Sequence, residues 1–349
     1  MFKTKNLLTI VCWLFIAPFT CAEPSIAADF KPAQLDSQGR FENNPKIKKS
    51  APLAVTLPFF ARRFATNFRS GDGAPAHTPN DGIALRANTD TPTVTWVGHS
   101  TLLVQIEGVN FLTDPIWSNT PSPVPFLGPS RWVAAGIAIA DLPSIDFVLI
   151  SHNHYDHLDL PTLKTLAQQN PQTQFLVPLG NRQLLEKKGI KQVHEFNWGD
   201  QMEIKGITVH CLPAQHWSKR GIADTRKTLW ASWAVIGEQR RFYFSGDTGY
   251  FEGFKQIGDK LGPFDLAAVP IGAYEPRAMM RTSHTNPEEA LQAAIDLRAN
   301  KAVGIHFGTF DLSDEALEEP PQRFKAAALE SALGIKNAWI FSVGETRSF

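Results

Sequence analysis

Three histidines and two carboxylates lie within the eight residues from His152 to Asp159. The segment reads His152-Asn153-His154-Tyr155-Asp156-His157-Leu158-Asp159 and directly follows the apolar run Phe147-Val148-Leu149-Ile150. Neutral imidazoles and carboxylates are ligands that suit zinc, iron or manganese. In such a loop, alternate side chains can point to one metal ion while the next pair points to a second. The spacing His-x-His-x-Asp-His therefore predicts two metal sites that share one loop.

A two-metal site needs further ligands from other parts of the chain. His216, Asp247 and His306 each stand where an apolar, strand-like run gives way to a loop. This is the rim on which α/β folds place their reacting groups. We therefore expect these three side chains to complete the metal centre.

The elements that must position these residues begin at Thr93, where short apolar or alternating runs alternate with turn residues. The predicted strands are Val94–Val97, Leu102–Ile106, Asn110–Leu112, Phe147–Ile150, Gln174–Val177, Ile207–Leu212, Ala231–Ile236, Arg241–Phe244, Leu266–Pro270 and Ala302–His306. The predicted helices are Pro161–Gln169, Asn181–Lys188 and Pro287–Leu297, the last with Asn286 at its N-cap. Strands punctuated by helices predict a layered α/β domain over residues 89–349, with sheets packed inside helices.

Composition excludes several classes of protein. The chain has 349 residues, 43% of them hydrophobic, and 34 Lys+Arg balance 34 Asp+Glu, which gives a formal net charge of +0. Such a chain is neither disordered nor built around disulfides. Without a protein-wide positive field to hold a phosphate backbone, we expect no nucleic-acid partner.

Residues 1–22 have the pattern of an export signal. Two lysines precede the apolar run Leu7–Phe19, which is shorter than the ~20 residues of a spanning helix, and small residues permit cleavage after Ala22. We expect an exported protein of the periplasm or cell envelope. Lipidation at Cys21 is the alternative. Cys211 remains after cleavage and lies in an apolar run, so we expect it to be buried in the core.

Residues 23–88 are rich in turn-forming residues and form an expected extension that leans on the catalytic domain. Their one concentrated apolar piece, Leu53–Phe68, contains several phenylalanines interleaved with Arg62 and Arg63. Two interpretations are open. The phenylalanines could dock on the core, or the segment could lie at a lipid interface with its arginines toward phosphates.

The motif His152-x-His154-x-Asp156-His157, followed by His216, Asp247 and His306, resembles the metallo-β-lactamase superfamily in order and separation. Other segments resemble, more narrowly, the N-acylphosphatidylethanolamine-hydrolysing phospholipase D family: Trp96–Thr101, Leu112–Ile116, Gly128–Arg131, Gly246–Tyr250, Gly262–Ala268, Pro270–Arg277 and Ile305–Phe310. The metal motif is shared by hydrolases of many substrates, whereas Pro270–Arg277 with its neighbours is particular to this phospholipase family. The resemblance implies an α/β fold, the αββα sandwich of the superfamily, here preceded by the N-terminal extension.

The resemblance also implies a ligand set for two zinc ions. It assigns His152, His154 and His216 to the first ion, Asp156, His157 and His306 to the second, and Asp247 to both. True β-lactamases carry a cysteine in place of this aspartate, so Asp247 argues against antibiotic hydrolysis. A lactone, a nucleotide phosphodiester or ribonucleic acid stays open as the substrate, as does a non-enzymatic metal-holding role.

The activity that the resemblance implies is hydrolysis of a membrane phospholipid. A hydroxide bridging the two metals would attack phosphorus, N-acylethanolamine would leave and phosphatidic acid would remain. Asp156, Asp247 and His284 form the implied catalytic set. Tyr155 and His284 are implied to contact the substrate, with His284 donating to a phosphoryl oxygen or protonating the leaving group. The expected partners are a phospholipid substrate and a membrane surface contacted peripherally, and a homodimer is left open.

Several residues near these motifs have a structural alternative beside a functional one. His99 either has a structural role or contacts a metal ligand without binding the metal itself. Asp114 either orients a ligand histidine or stabilises a turn. Asp159 is expected to cap the following helix. Three aromatic residues, Trp117, Phe126 and Trp132, either fill the core or line a channel for acyl chains. His77, His194 and His210 show no functional pattern.

Overall fold

A computed structural model describes residues 25–26, 30–47, 51–66, 73–124 and 127–349 of the chain. The expected signal peptide, residues 1–22 with Cys21, lies outside these ranges, as do Phe68 and Phe126. Within the described ranges, no helix combines the length and apolar character needed to cross a membrane.

The strands and helices follow one another along the described chain with short connections. The strands are β1 (Ser25–Ile26), β2 (Thr93–Gly98), β3 (Thr101–Ile106), β4 (Val109–Thr113), β5 (Phe147–Leu149), β6 (Gln174–Pro178), β7 (Val193–Phe196), β8 (Asp200–Ile204), β9 (Ile207–Leu212), β10 (Ser232–Ile236), β11 (Arg241–Phe244), β12 (Leu266–Pro270), β13 (Ala302–Ile305), β14 (Ala338–Trp339) and β15 (Thr346–Ser348). The helices are α1 (Leu53–Thr66), α2 (Ile83–Ala87), α3 (Leu160–Gln169), α4 (Arg182–Glu186), α5 (Gly253–Leu261), α6 (Arg277–Met280), α7 (Pro287–Asp296) and α8 (Glu319–Leu329), and a short 3-10 helix spans Ile139–Asp141.

These strands form two mixed sheets. One sheet has the order β1-β8-β9-β10-β11-β12-β13-β14 and the other the order β15-β2-β3-β4-β5-β6-β7. In each sheet the pairs on one side are antiparallel, from β1 to β11 and from β15 to β4, and the pairs on the other side are parallel. The parallel strands are joined through helices, as crossover connections require.

Alternation along the strands divides the core between the two faces of a sheet. Leu102 and Val104 of β3 share a buried cluster with Trp233 of the opposite sheet, whereas Leu103 shares a second cluster with Leu163 of α3. Successive side chains of a strand point to opposite faces, so one face fills the space between the sheets and the other packs against helices. Each fully buried leucine of this kind contributes roughly 1.5–3 kcal/mol through removal from water. The αββα sandwich is confirmed.

The predicted strands are all present, with ends that differ by at most one residue. Helix α7 begins as predicted, because the Asn286 side chain accepts a hydrogen bond of 2.9 Å from the Glu289 main-chain N–H in a capping box. The helix predicted over Asn181–Lys188 is shorter, Arg182–Glu186. Sequence reasoning missed the strands β1, β7, β8, β14 and β15 and the helices α1, α2, α5, α6 and α8. Cys211 is buried in the core, as predicted.

The described parts of the extension pack on the sandwich. Phe30 and Phe41 join the main buried cluster, and β1 pairs with β8. In α1, Phe59 is buried, but Leu53, Leu57 and Phe60 are 73%, 65% and 59% exposed.

Helix α1 is held partly by charge. Arg62 pairs with Asp314, and Arg63 pairs with Asp311, so both arginines face the catalytic domain. The arginines are thus paired with aspartates instead of being turned toward phosphates, and Phe59 is buried as the docking interpretation expects, whereas contact of the exposed apolar side chains with lipid stays a prediction.

Candidate metal centre

The loop that carries the motif leaves the sheet at the end of β5 and enters α3. Its shape is fixed by the guanidinium of Arg220, whose Nη1 donates to the carbonyl oxygens of Asn153 (3.0 Å) and Leu158 (2.8 Å). The same guanidinium lies 3.9 Å from the centroid of the Tyr155 ring, and the Tyr155 hydroxyl donates to the Arg220 carbonyl oxygen (3.0 Å). Arg220 therefore ties the loop to the segment that follows His216.

The three histidines expected to form the first site lie close together. His152 Nε2 lies 2.7 Å from His154 Nδ1, and His216 Nε2 lies 3.3 Å from the same His154 atom. These ligand-type atoms all lie within 4.8 Å of one another.

A second group forms beside the first. Asp156 Oδ2 lies 3.3 Å from His157 Nε2 and 3.5 Å from His306 Nε2. Asp247 lies between the two groups, because its oxygens are 3.1 Å from His157 Nε2, 3.1 Å from His306 Nε2 and 3.9 Å from His216 Nε2. All seven residues of the predicted ligand set thus meet in one buried cluster.

Several buried ligand-type atoms of the cluster lack hydrogen-bond partners within the described structure, which bears on whether the cluster fits metal ions. His157 Nε2, His306 Nε2 and Asp247 Oδ1 are buried, yet within the described structure none makes a properly oriented hydrogen bond. Buried polar atoms are almost always paired. Atoms that approach to 3.1 Å without hydrogen-bond geometry point toward a shared third partner, and imidazole nitrogens with carboxylate oxygens are a donor set for divalent metals. These residues fit a metal centre.

The electrostatics of the first group favour neutral ligands. Burial keeps the pKa values of His152 and His216 well below their usual range, and it lowers the pKa of His154 to about 4. A neutral imidazole is the form that binds a metal. The first group is therefore ready for a metal at neutral pH.

The pKa values of the second group are shifted differently because its carboxylates lie close to its histidines. Burial opposes charge on His306, but Asp247 and Asp156 outweigh burial and raise the His306 pKa to about 9. Burial likewise opposes charge on Asp247, but His157 and His306 outweigh it and hold the Asp247 pKa well below its usual range. In the absence of a metal, a proton therefore occupies this group at neutral pH.

A glycine lets Asp247 reach the cluster. Gly246 follows β11 with φ +57°, a left-handed conformation that side chains disfavour. A Cβ atom at this position would lie 2.3 Å from Ser151 Cβ and 3.2 Å from the Ala231 carbonyl oxygen. The turn thus requires glycine both for its dihedral angle and for the close approach of the motif loop.

Asp114 holds a predicted ligand from outside the cluster, which confirms the orienting interpretation. Its Oδ2 lies 2.7 Å from His157 Nδ1, and its Oδ1 accepts a hydrogen bond of 2.6 Å from the Ser151 main-chain N–H. A carboxylate in this position fixes the tautomer and orientation of the imidazole.

Sequence reasoning missed a residue of the extension that anchors His216. The Asn43 side chain donates to the His216 carbonyl oxygen (2.8 Å) and accepts from the His216 main-chain N–H (3.0 Å). It also accepts from the Trp230 indole N–H (3.1 Å), and His216 Nδ1 lies 2.9 Å from the Ser283 carbonyl oxygen. Only the Asn-rich character of this segment hinted at side-chain hydrogen bonding, and nothing local pointed to His216.

Of the two residues implied to contact substrate, His284 borders the cluster, and Tyr155 lines a groove whose lining includes none of the seven ligands. His284 Nδ1 is 3.9 Å from Asp247 Oδ2, and the His284 side chain is partly exposed. Tyr155 lines a groove of about 1050 Å³, together with Leu160, Lys164 and Leu184 among others. The groove opens beside the motif loop.

Other sequence candidates lie away from the cluster or take different partners. Asp159 stands at the N-cap of α3, but its carboxylate accepts from the hydroxyls of Ser118 (2.8 Å) and Thr162 (2.6 Å) instead of capping the helix backbone, so that prediction was wrong. Trp117 packs against the second core cluster and donates to the Ile137 carbonyl oxygen, which favours its core interpretation.

Three of the histidines without a predicted function, His77, His194 and His210, take no part in the cluster. His194 lies on β7, His210 lies on β9, and His77 forms an isolated backbone bridge with Val343.

Comparison with known proteins agrees with this geometry. Residues 109–307 match the family described as "Beta-lactamase superfamily domain". A metallo hydrolase of Ignicoccus hospitalis, Igni18, superimposes with a TM-score of 0.56 at 24% identity, covering 74% of this chain and 99% of that one. The chain therefore belongs to the metallo-β-lactamase superfamily and is a metal-dependent hydrolase.

Two relatives indicate which family within the superfamily the chain belongs to. The chain is 48% identical to N-acyl-phosphatidylethanolamine-hydrolyzing phospholipase D 1 of Caenorhabditis elegans over 66% of this chain and 68% of that protein. It is 34% identical to the mitochondrial N-acyl-phosphatidylethanolamine-hydrolyzing phospholipase D of Saccharomyces cerevisiae over 67% of this chain and 51% of that protein. Within the superfamily, the chain belongs to the N-acylphosphatidylethanolamine-hydrolysing phospholipase D family.

Proposed function

We propose that the protein is a zinc-dependent phosphodiesterase of the phospholipase D type, which hydrolyses N-acylphosphatidylethanolamine to N-acylethanolamine and phosphatidic acid. The observation that carries this proposal is the convergence of all seven ligand-type side chains in a chain 48% identical to a relative named for that reaction. An aspartate between the two groups supports the choice, since a shared carboxylate can hold two metals at the separation that suits a phosphodiester.

The proposed ligands divide as the resemblance implies. His152, His154 and His216 would hold one zinc ion, Asp156, His157 and His306 would hold the other, and Asp247 would bind both. When bound, such ions supply positive charge to the phosphoryl oxygens and lower the pKa of water toward neutrality.

Residues outside the proposed ligand set orient the ligand histidines and border the space for the substrate. Asp114 and the Ser283 carbonyl oxygen hold His157 and His216 by one ring nitrogen each, which leaves the other nitrogen facing the cluster. His284 stands at the partly exposed edge beside Asp247, where its ring could donate a hydrogen bond to a phosphoryl oxygen or to the leaving group. The hydroxyl of Tyr155 is taken by Arg220, so Tyr155 would contact substrate through its ring.

The reaction is tested by incubating the purified, zinc-loaded chain with N-acylphosphatidylethanolamine in mixed micelles and identifying products by mass spectrometry. We expect N-acylethanolamine and phosphatidic acid from the wild type and neither from Asp247→Asn. Absence of both products while zinc is bound would refute the substrate assignment and direct the search to other phosphodiesters and lactones. Full turnover by His284→Ala with zinc retained would remove His284 from the mechanism.

We also propose that the protein meets its lipid substrate through the outward face of α1. Leu53, Leu57 and Phe60 are spaced i, i+4 and i+7, which places them on one side of the helix, and all three are exposed. Ion pairs at Asp311 and Asp314 hold that helix on the chain segment that follows His306. An exposed apolar face near the centre would bring the lipid surface close to the metals.

Membrane contact is tested by cosedimentation with phosphatidylcholine vesicles. Leu57→Glu is expected to lower the bound fraction several-fold, while Leu329→Glu, on the exposed face of α8, serves as the matched control and is expected to leave it unchanged. Equal binding of the two variants would contradict the assignment to α1.

The expected export of the chain is likewise a proposal, supported by the two lysines and the apolar run within residues 1–22. N-terminal sequencing of protein from periplasmic and membrane fractions is expected to begin at Glu23. A lipid-modified Cys21 would identify an envelope lipoprotein instead, and an intact N-terminus in the cytosol would contradict export.

A further inference from the structure

His99 lies where the two segments that carry Asp156 and His306 meet. Its Nε2 is 3.0 Å from Asp156 Oδ2, and its ring centroid is 4.2 Å from that of His306. We propose that His99 is a positioning residue of the second metal site, holding the Asp156 carboxylate with its ring and the His306 backbone with its carbonyl oxygen. This inference rests on the metal positions proposed above.

The chemistry of the contact gives the hydrogen bond its direction. An ionised carboxylate can only accept, so His99 Nε2 must carry the hydrogen and donate it to Asp156 Oδ2. A ring nitrogen that carries a hydrogen cannot bind a metal. The other ring nitrogen, Nδ1, is buried and makes no hydrogen bond within the described structure, which agrees with a bare nitrogen there.

The hydrogen bond from His99 acts on the Asp156 oxygen that faces the other proposed ligands of the second site. Asp156 Oδ2 is the atom that faces His157 Nε2 at 3.3 Å and His306 Nε2 at 3.5 Å. A carboxylate otherwise free to rotate about its terminal torsion is thereby held with this oxygen toward the two imidazoles. Outer partners of this kind set the orientation of metal ligands.

The backbone of His99 is fixed independently of its ring. His99 has φ 52°, in the left-handed region that is unusual for residues other than glycine. The conformation is held by three hydrogen bonds: the Trp96 indole donates to the His99 carbonyl oxygen (2.9 Å), the His306 main-chain N–H donates to the same oxygen (3.0 Å), and the His99 N–H donates to Thr309 Oγ1 (2.7 Å). Such conformations persist at functional sites when the surroundings over-determine them.

The hydrogen bond can be separated from mere packing by two substitutions. His99→Leu keeps apolar bulk but has no donor, whereas His99→Gln retains an N–H that can reach the carboxylate. His210→Leu is the matched control, because His210 is a buried histidine on β9 that takes no part in the cluster.

Metal retention is the direct readout. Each variant is loaded with zinc, equilibrated against a graded series of chelator concentrations and analysed for bound metal by mass spectrometry, with thermal unfolding as a check on folding. For His99→Leu we expect one of the two zinc equivalents to bind ~10–100-fold more weakly and the other to be unchanged. His99→Gln is expected to stay within a few-fold of wild type, and His210→Leu to match it.

Cobalt loading supplies a second readout, because the visible absorption of bound cobalt(II) reports the geometry of its ligands. We expect His99→Leu to change the spectrum of one ion and His99→Gln to preserve it. Two unchanged zinc affinities in a folded His99→Leu variant would overturn the inference, as would equal weakening by Leu and Gln. Failure of the wild-type chain to bind metal would instead overturn the proposed function.

Discussion

Asn43 links the N-terminal extension to the metal centre through the main chain of His216. Its side chain pairs with both the N–H and the carbonyl oxygen of His216, at 3.0 and 2.8 Å. His216 is only 1% exposed, so its main-chain groups depend largely on protein partners. Asn43→Ala is therefore expected to destabilise the fold and to weaken metal binding at the His216 site.

The expected loss of unfolding free energy follows from the main-chain groups of His216 that Asn43→Ala would leave without a partner. Two buried main-chain groups of His216 lose their partner, at about 1 kcal/mol each. The Trp230 indole also donates to the Ala214 carbonyl oxygen at 2.9 Å, so that donor stays paired and adds little. The expected loss of unfolding free energy is about 2 kcal/mol, which corresponds to a fall of about 0.7–1 M in the urea midpoint for a slope of about 2–3 kcal/mol/M.

Urea unfolding of the metal-free chain, followed by tryptophan fluorescence, measures this loss, and zinc titration against a chelator measures the effect on the site. The neighbouring exposed Asn44 provides the matched control, so Asn44→Ala is expected to leave both quantities within error of wild type. An Asn43→Ala midpoint equal to that of wild type, with unchanged zinc affinity, would refute the reasoning that the extension positions His216.

Three further outcomes are expected. Gly246→Ala forces a Cβ into Ser151 at a left-handed φ, so we expect a loss of at least ~2 kcal/mol and reduced zinc content; an unchanged melting temperature would contradict this. Asp114→Asn removes the carboxylate from His157 and is expected to weaken one zinc ~10–100-fold in chelator competition, against no change if Asp114 only shapes a turn. Because carboxylates raise the His306 pKa to about 9, zinc loading at pH 7 is expected to release at least one proton there; calorimetric heats that do not vary with buffer ionisation enthalpy would argue against it.

Much of the fold was accessible from the sequence because the buried strands stand out as short apolar runs between turn residues. The strands that were missed are polar or short: β8 reads Asp-Gln-Met-Glu-Ile, and β14 has two residues. Helix α8 was missed because Pro320 and Pro321 look like helix breakers, although proline is tolerated in the first turn. Pairing within a sheet stabilises these strands and packing stabilises the helix, and no local sequence pattern predicts either.

The sequence by itself determined the ligand types, their spacing and their places at strand ends, because a loop of His-x-His-x-Asp-His has few other uses. Its short apolar runs also predicted a layered α/β domain, the family resemblance implied the sandwich, and Asn286 marked the start of α7. Only the tertiary structure decided which residues hold those ligands. Asn43 lies 173 positions from His216, and His99 lies 57 positions from Asp156. Hydrogen bonds between such distant residues depend on how the sheets pack, and packing is a property of the whole chain that no local spacing contains.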